Sequence, residues 1–412
     1  MPRILIALGG VAGVLCVAAV GGAWVRSGKE ADLQAAEREL REGRAALEEI
    51  VGPELLGADV PPLPELPEAG ISDEVRTLLS RLADTAPEGW TAGDRVRLQE
   101  LLALDLRLRA ALRKPEGEAL RSEEVALRGL DLLAAARLLA VRDRLALLEG
   151  DEAAFLDGVE LRMDLAERLW LQPVVVGPLL GGAVFQAALR DVQQAVERPG
   201  TSTMGLSRLE ARLLRWRLRV PDAAAVLARE ALFTLEQSEE RSGNVGGDDP
   251  TEALLLAPVV HDFALLARRC REEGCRAGVQ ALQAQREARE EDPYRVMVDL
   301  LIPNLVNAVE KVEALSGLAG LAESAVALRL AAEESGRYPP SLDDLPAPLA
   351  TGGREPAAWS YERRPDGGAR LRLTDHATAS PWPEPRRAEV LELLVWELPP
   401  PRPAEAPASR NG

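Results

Sequence analysis

Residues Ile4 to Val25 carry no charge and are apolar or small throughout, and no other stretch constrains the chain as strongly. At about 1.5 Å of rise per residue, a helix of this length crosses roughly 30 Å of hydrocarbon. Lipid offers the backbone no water to bond, so a lone span of this kind has only the helix open to it. Arg3 precedes the stretch, and Arg26 and Lys29 follow it. Everything downstream is too charged to stay in lipid. The reading is a transmembrane anchor over residues 1–29, with membrane contact through residues 4–25 and a water-facing body. A cleaved signal peptide is the other reading, because Gly21-Gly22-Ala23 offers the small residues that a signal peptidase requires. The apolar run is longer than the roughly 7–15 residues of a signal core, which favours the anchor. Charge flanks both ends, so the segment by itself sets orientation weakly.

The body's charge narrows its partners. A net charge of −17 over 412 residues sets the chain against nucleic acid and against tight binding to anionic lipid, since both need clustered Lys and Arg. Only Lys29, Lys114 and Lys311 are lysines, and the Ala, Arg, Gly, Pro and Leu content fits a GC-rich bacterial genome. Periodicity then sets the fold class: mainly α, as a multi-helix bundle, with a small C-terminal antiparallel hairpin or sheet.

Apolar positions Leu33, Ala36, Leu40, Leu47 and Ile50 mark a helix from Glu30 to Val51, read as a stalk leaving the membrane. Prolines at 53, 61, 62, 64 and 67 then make an extended linker, so residues 30–70 form one stalk-and-linker unit. Residues 71–334 read as the helical bundle. Ser72 caps a helix with Val75, Leu78, Leu79 and Leu82 on one face. A second helix runs over about 94–113, a third starts at Ser122 and ends near Gly150, and Asp151 opens a fourth. Residues Leu169 to Leu189 lack charge, which raises a second membrane span. Pro173, Pro178, three glycines and two glutamines argue instead for a bundle-core helix. Two helices follow over 201–241, then helical stretches over 251–289 and 293–334.

The pattern changes at Gly336. Trp359-Ser360-Tyr361 and Leu371-Arg372-Leu373 alternate with period two around Pro365-Asp366-Gly367-Gly368, a hairpin signal. Val390 to Leu398 reads as either a third strand or a last helix, and its ending in Trp396-Glu397-Leu398-Pro399 favours the strand. Residues 335–399 therefore make a small β subdomain, and 400–412 a disordered Pro/Ala tail. Tyr338 and Pro339 read as the structural docking point between the long helix and the sheet. A buried Tyr needs a partner for its hydroxyl, and the following Pro turns the chain.

The run from Ala327 to Leu345 contains Gly336-Arg337-Tyr338-Pro339 followed by Ser341-Leu342-Asp343-Asp344-Leu345. It resembles the same segment of an uncharacterised family of exported, membrane-anchored bacterial helical proteins. Leu300-Leu301-Ile302-Pro303-Asn304 and the hairpin after Trp359 are similar to that family too. A shorter version resembles the C-terminal part of the major pseudopilins of type II secretion. The departures are clear: Gly9-Gly10 is followed by Val11 rather than a prepilin site, and the large helical body has no counterpart in a pseudopilin. The resemblance implies a similar C-terminal subfold and an exported, periplasm-facing body on the bacterial inner membrane. It brings no catalytic residues.

Chemistry-bearing residues are few. Cys270 and Cys275 lie in Cys-Arg-Glu-Glu-Gly-Cys. They diverge on an unbroken helix, but Gly274 is able to break it and let them pair. An exported location permits a disulfide; free thiols are the alternative. Zinc would need two further ligands, and His261 and His376 are the only histidines. No phosphate loop, dinucleotide fingerprint or nucleophile elbow occurs in context, so no catalytic, metal or cofactor-binding residue is assigned and no cofactor is expected. Glu48-Glu49, Glu123-Glu124 and Asp343-Asp344 are the pairs expected by chance among 66 carboxylates. Two functions compete. One is a non-enzymatic scaffold or interaction module with a protein partner. The other is a periplasmic hydrolase with paired carboxylates in a groove of the helical body.

Overall fold

The computed structural model describes residues 30–56, 61–64, 66, 71–83, 85, 87–113, 122–219, 222–245, 250–287, 295–344, 359–374 and 386–402. The expected anchor and the tail beyond residue 402 lie outside them. The described body is mainly helical and ends in a small antiparallel sheet.

The centre is α6 (Ser122–Glu149). Its run of Leu, Ala and Val is apolar on every side, and Leu132, Ala135, Leu138, Leu139 and Val141 are all buried. A helix apolar all round must be enclosed by others. It is enclosed by α3 (Asp73–Ala83), α5 (Leu102–Arg113), α7 (Glu152–Trp170) and α8 (Val176–Glu197). On one side, Leu79, Leu82, Trp90 and Leu98 form a minor core with Ala134, Ala135, Leu138 and Leu145 of α6. The other side opens into the main core, which continues through α9 (Thr203–Arg219), α10 (Ala223–Val245), α11 (Pro250–Glu273), α12 (Cys275–Glu287) and α13 (Arg295–Ser335).

Local chemistry places the helix starts. Ser72 Oγ accepts the Val75 N–H at 3.3 Å, and Asp151 Oδ1 accepts the Ala154 N–H at 3.0 Å. Thr91 and Asp94 form a reciprocal capping box that opens α4 (Ala92–Glu100). The single helix expected over 94–113 is in fact α4 and α5, separated by a turn at Leu101.

Two expectations for the N-terminal part are corrected. The helix Glu30–Val51, here α1, is not a free stalk: it packs along α11 and against α10, and Leu47 is fully buried. Its apolar positions recur every three to four residues, which is the pattern of a helix with a neighbour. The described prolines also lie against the body. Leu63 is fully buried, and Gln172 Nε2 donates to the Pro61 carbonyl at 3.0 Å. A short helix, α2 (Pro53–Leu56), joins the two.

Leu169 to Leu189 takes in the end of α7, the corner that follows and the first 14 of the 22 residues of α8. Trp170, Phe185 and Leu189 are buried in the main core, so this uncharged run is an interior helix. Ala308–Ser335 of α13 is also long and apolar enough to cross a membrane, but 78% of its most apolar window is buried inside the fold.

At the C-terminus Gly336 carries the turn that ends α13, with φ +73°. Tyr338 is 1% exposed, and its hydroxyl donates to the Pro399 carbonyl at 2.9 Å. Arg329, fully buried, donates to the carbonyls of Pro399 and Pro400 and pairs with Glu333 at 2.5 Å. Strand β1 (Trp359–Arg363) pairs antiparallel with β2 (Ala369–Leu373), setting Tyr361 opposite Leu371. The connecting turn has Gly367 at φ +87° and Asp366 Oδ1 accepting the Gly368 N–H. The stretch Val390 to Leu398, read as strand or helix, is both: it divides into α14 (Arg386–Leu393) and β3 (Val395–Leu398). Trp396 sits opposite Leu371 in β2. The outer edge of β3 is covered by α8: Gln193 donates to the Val395 carbonyl at 2.7 Å, and Glu197 accepts the Glu397 N–H at 2.9 Å. The sheet is thus bonded into the bundle rather than set apart from it.

Tyr338 fills interior space and closes the C-terminal segment through one hydroxyl. Truncating a buried aromatic costs about 3–5 kcal/mol. Tyr338→Ala should therefore lower the melting temperature by several degrees, whereas Tyr338→Phe, which loses only the hydrogen bond, should cost about 1 kcal/mol. Equal melting curves for wild type and Tyr338→Ala would contradict this placement.

Candidate functional site

The largest concentration of charge in the interior surrounds Arg142-Asp143-Arg144, a charged triplet inside the apolar run of α6. Arg162 of α7 is fully buried and bridges two carboxylates: Nη2 lies 3.0 Å from Asp143, and Nη1 lies 2.6 Å from Asp191 of α8. Arg109 of α5 joins Asp143 at 2.5 Å and Asp105 at 3.1 Å. Arg144 reaches Asp191 at 2.7 Å and also donates to the Ala83 carbonyl at the end of α3. Arg142 stands 3.9 Å from Asp105. Five helices are tied at this point. Gly158 of α7 makes the approach possible, since a Cβ there would collide with the Asp143 carboxylate.

Burial pushes the Asp143 carboxyl up to about 6, against the pull of Arg162 and Arg109. Burial pushes Asp191 the same way, but Arg144 and Arg162 outweigh it and hold that carboxyl below its ordinary value. Two neighbouring carboxyls with divided affinities are what acid–base catalysis uses. Here, however, the Asp143, Asp191 and Arg162 side chains are at most 1% exposed, so they are closed to bulk solvent and to a substrate. The arrangement is a structural clamp.

A further buried carboxyl closes the corner between α7 and α8. Glu230 of α10 accepts the Val175 N–H at 2.5 Å, at the start of α8. Burial pushes it up to about 7. An open hollow of about 90 Å³ is lined by Leu147, Gly150, Glu152, Arg198, Gly200 and Thr201. Its one carboxylate, Glu152, is occupied by the Ser202 N–H and hydroxyl, so the hollow holds no acidic pair.

The residues singled out in the sequence are dispersed. Gly274 has φ +88° and separates α11 from α12, which brings Cys270 and Cys275 together. Both are free thiols and buried. A hydrogen bond with Cys270, together with burial, pushes the Cys275 thiol up. That disfavours the thiolate through which disulfides form. His261 sits 3.4 Å from Glu39 and 3.4 Å from Gln285, tying α1, α11 and α12. His376 lies outside the described residues. Asp344 accepts the Ser341 N–H as a turn cap. Glu48 pairs with Arg44 along α1. Among the described residues no group of three or more His, Cys, Asp or Glu side chains is placed to hold a metal.

The surface carries a feature that the sequence reading passed over. On α9, Leu206, Leu209, Leu213 and Trp216 point inward, where Trp216 stacks on Phe185 at 3.9 Å. On the opposite face Met204, Ser207, Ala211, Leu214 and Leu218 are all exposed. Met204 and Leu218 are 74% and 72% exposed. The outer set recurs every three and four residues, as the inner one does. Arginines border it: Arg208 pairs with Asp157 and Glu160, Arg212 with Asp164 and Glu167, and Arg219 with Glu167.

No family model, curated protein or solved structure matches the chain.

Two outcomes test this account of the interior. Removing one partner of a buried ion cluster typically costs about 3–5 kcal/mol. Arg162→Met should shift the urea midpoint accordingly, and Arg162→Lys should fail to restore it, because an ammonium cannot span two carboxylates as a planar guanidinium does. The second outcome concerns Glu230. Between its ordinary value of 4.5 and its folded value of about 7, the native state holds a proton that the unfolded chain has released. Its contribution is complete below about pH 4.5 and is lost as the pH rises through about 7. Glu230→Gln has no such slope. The melting temperature of Glu230→Gln minus that of wild type should be more positive near pH 8 than near pH 5, and a pH-independent difference would refute the assignment.

Proposed function

We propose that this protein is a single-pass, membrane-anchored scaffold or interaction module, with its helical body on the periplasmic side of a bacterial inner membrane. The observation that carries the interaction role is the exposed 3–4 apolar seam on α9. A water-facing helix has no reason to repeat apolar residues on its outer face unless that face is covered in use. The uncharged segment 4–25 supports the anchor, and the resemblance of the Gly336–Pro339 region supports export. The competing hydrolase reading needs an accessible carboxyl pair, and the pair at Asp143 and Asp191 lies in the sealed interior.

Two readouts on the full chain test the proposal. Alkaline phosphatase fused after Gly412 should be active in cells, because the enzyme folds only outside the cytoplasm; an inactive fusion with an active cytoplasmic reporter would overturn the topology. A photo-crosslinking amino acid at position 218 should yield a discrete protein adduct in intact cells. Absence of any adduct would overturn the interaction role.

A further inference from the structure

The turn between α11 and α12 is built on two glycines. Gly274 takes the left-handed conformation, and its N–H donates to the Cys270 carbonyl at 3.1 Å, which closes α11. The next residue, Cys275, opens α12. Gly278 then lets the two helices close on each other: a Cβ there would lie 3.1 Å from the Cys270 nitrogen and 3.2 Å from the Leu266 carbonyl oxygen. Gln285 reaches His261, so α12 runs back along α11.

Residues five apart on an unbroken helix stand about 140° apart around its axis. The break at Gly274 instead sets the Cys270 and Cys275 thiols in hydrogen-bond contact. Cys270 is 8% exposed and Cys275 2%. The cover comes from α13 as well: Glu313 bonds the Cys275 thiol, and its carboxylate lies 3.6 Å from where a Cβ on Gly274 would stand. Next to Cys270, Arg271 donates to the Ile50 carbonyl, so the same turn holds the end of α1. The thiol pair therefore sits at one joint shared by α1, α11, α12 and α13.

We propose that Cys270 and Cys275 are a disulfide pair, oxidised after export while the turn is still open and sheltered by α13 once the bundle has closed. The proposal rests on the periplasmic reading of the body, because the bond persists only in an oxidising compartment. The oxidant is a disulfide, carried by a thiol oxidoreductase in the cell and supplied as oxidised glutathione in the tube. One cysteine loses its proton to solvent, and its thiolate attacks a sulfur of the oxidant, releasing one thiolate and leaving a mixed disulfide. The second cysteine, also deprotonated, attacks the first one's sulfur. The Sγ–Sγ bond forms and the rest of the oxidant leaves as a thiolate; the two released thiolates take up the two protons. Two electrons pass from the pair to the oxidant. The closed fold is a poor place for these steps, since both sulfurs are covered and each thiol is held by a neighbour. Oxidation therefore precedes closure, and closure then protects the bond from reductants.

The test uses the full-length chain with Cys16→Ala, which leaves Cys270 and Cys275 as its only cysteines. Bacterial cells making it are quenched in acid, and the protein is unfolded in urea and alkylated with N-ethylmaleimide. Its intact mass should show no label before reduction and two labels after it. The same protein, purified in neutral detergent micelles and reduced, is then given oxidised glutathione. Left folded, it should form the bond about tenfold or more slowly than in urea. The oxidised form should melt a few degrees above the reduced form, and Cys270→Ala should abolish that difference between oxidising and reducing buffer. Two labels before reduction, in a protein whose phosphatase fusion is active, would overturn the proposal. A bond between two chains would do the same, and so would equal oxidation rates in the folded and unfolded protein. If the phosphatase fusion is inactive, the periplasmic reading has failed, and refolding from urea with oxidised glutathione decides the pair by itself. A Cys270–Cys275 bond there upholds the pair, and its absence overturns it.

Discussion

Arg162 is the side chain around which the upper bundle is organised. It is an always-charged group with no exposed surface, so it is tolerable only where carboxylates are brought to it. Asp143 and Asp191 come from two different helices, and each is shared with a further arginine, Arg109 or Arg144. That sharing fixes the mutual register of α5, α6, α7 and α8 in a way that Leu and Ala contacts, which slide at little cost, do not. Buried ion clusters are weak sources of net stability but strong sources of uniqueness when each member depends on the others. In a core this rich in Ala and Leu, specific register is the property most in need of a source.

The same economy governs the corners. Glu230 closes the start of α8, Arg229 donates to the Leu171 carbonyl at the end of α7, and Gln172 reaches the Pro61 carbonyl. Backbone groups that a Pro-rich corner leaves unpaired are satisfied by side chains from other elements. Interior chemistry in this protein is therefore directed at its own backbone.

Much of the fold was legible in the sequence because helices announce themselves locally. Ser72 and Asp151 cap where expected, and Pro365-Asp366-Gly367-Gly368 makes its turn. What could not be read is the set of relations between distant elements. The apolar spacing of Glu30–Val51 shows that the helix has a neighbour, but not that the neighbours are α10 and α11, more than 170 residues later in the chain. The pairing of Arg162 with Asp191 spans most of two helices and leaves no local pattern, although a charged triplet inside the apolar run of α6 was a usable hint. The seam on α9 was legible in principle, for both of its faces carry apolar residues at helical spacing. It was missed because a helix apolar on two sides reads at first as one buried helix. The division of Val390 to Leu398 into α14 and β3 depends on Trp396, whose indole N–H donates to the Leu393 carbonyl and turns the chain within three residues.

The C-terminal closure has a consequence for how the chain is made. Arg329 has no exposed surface, and two of its acceptors are the carbonyls of Pro399 and Pro400, some seventy residues later. Those acceptors are synthesised long after the helix that carries the guanidinium. Until they arrive, the buried Arg329 has Glu333 of its own helix but not the two carbonyls that complete its hydrogen bonds. A chain cut short before β3 also leaves the edge of β2 open and the side chains of Gln193 and Glu197 without their backbone partners. The fold thus depends on its last strand: until the residues of β3 are present, the sheet keeps an unsealed edge and the C-terminal turn of α13 lacks its backbone acceptors.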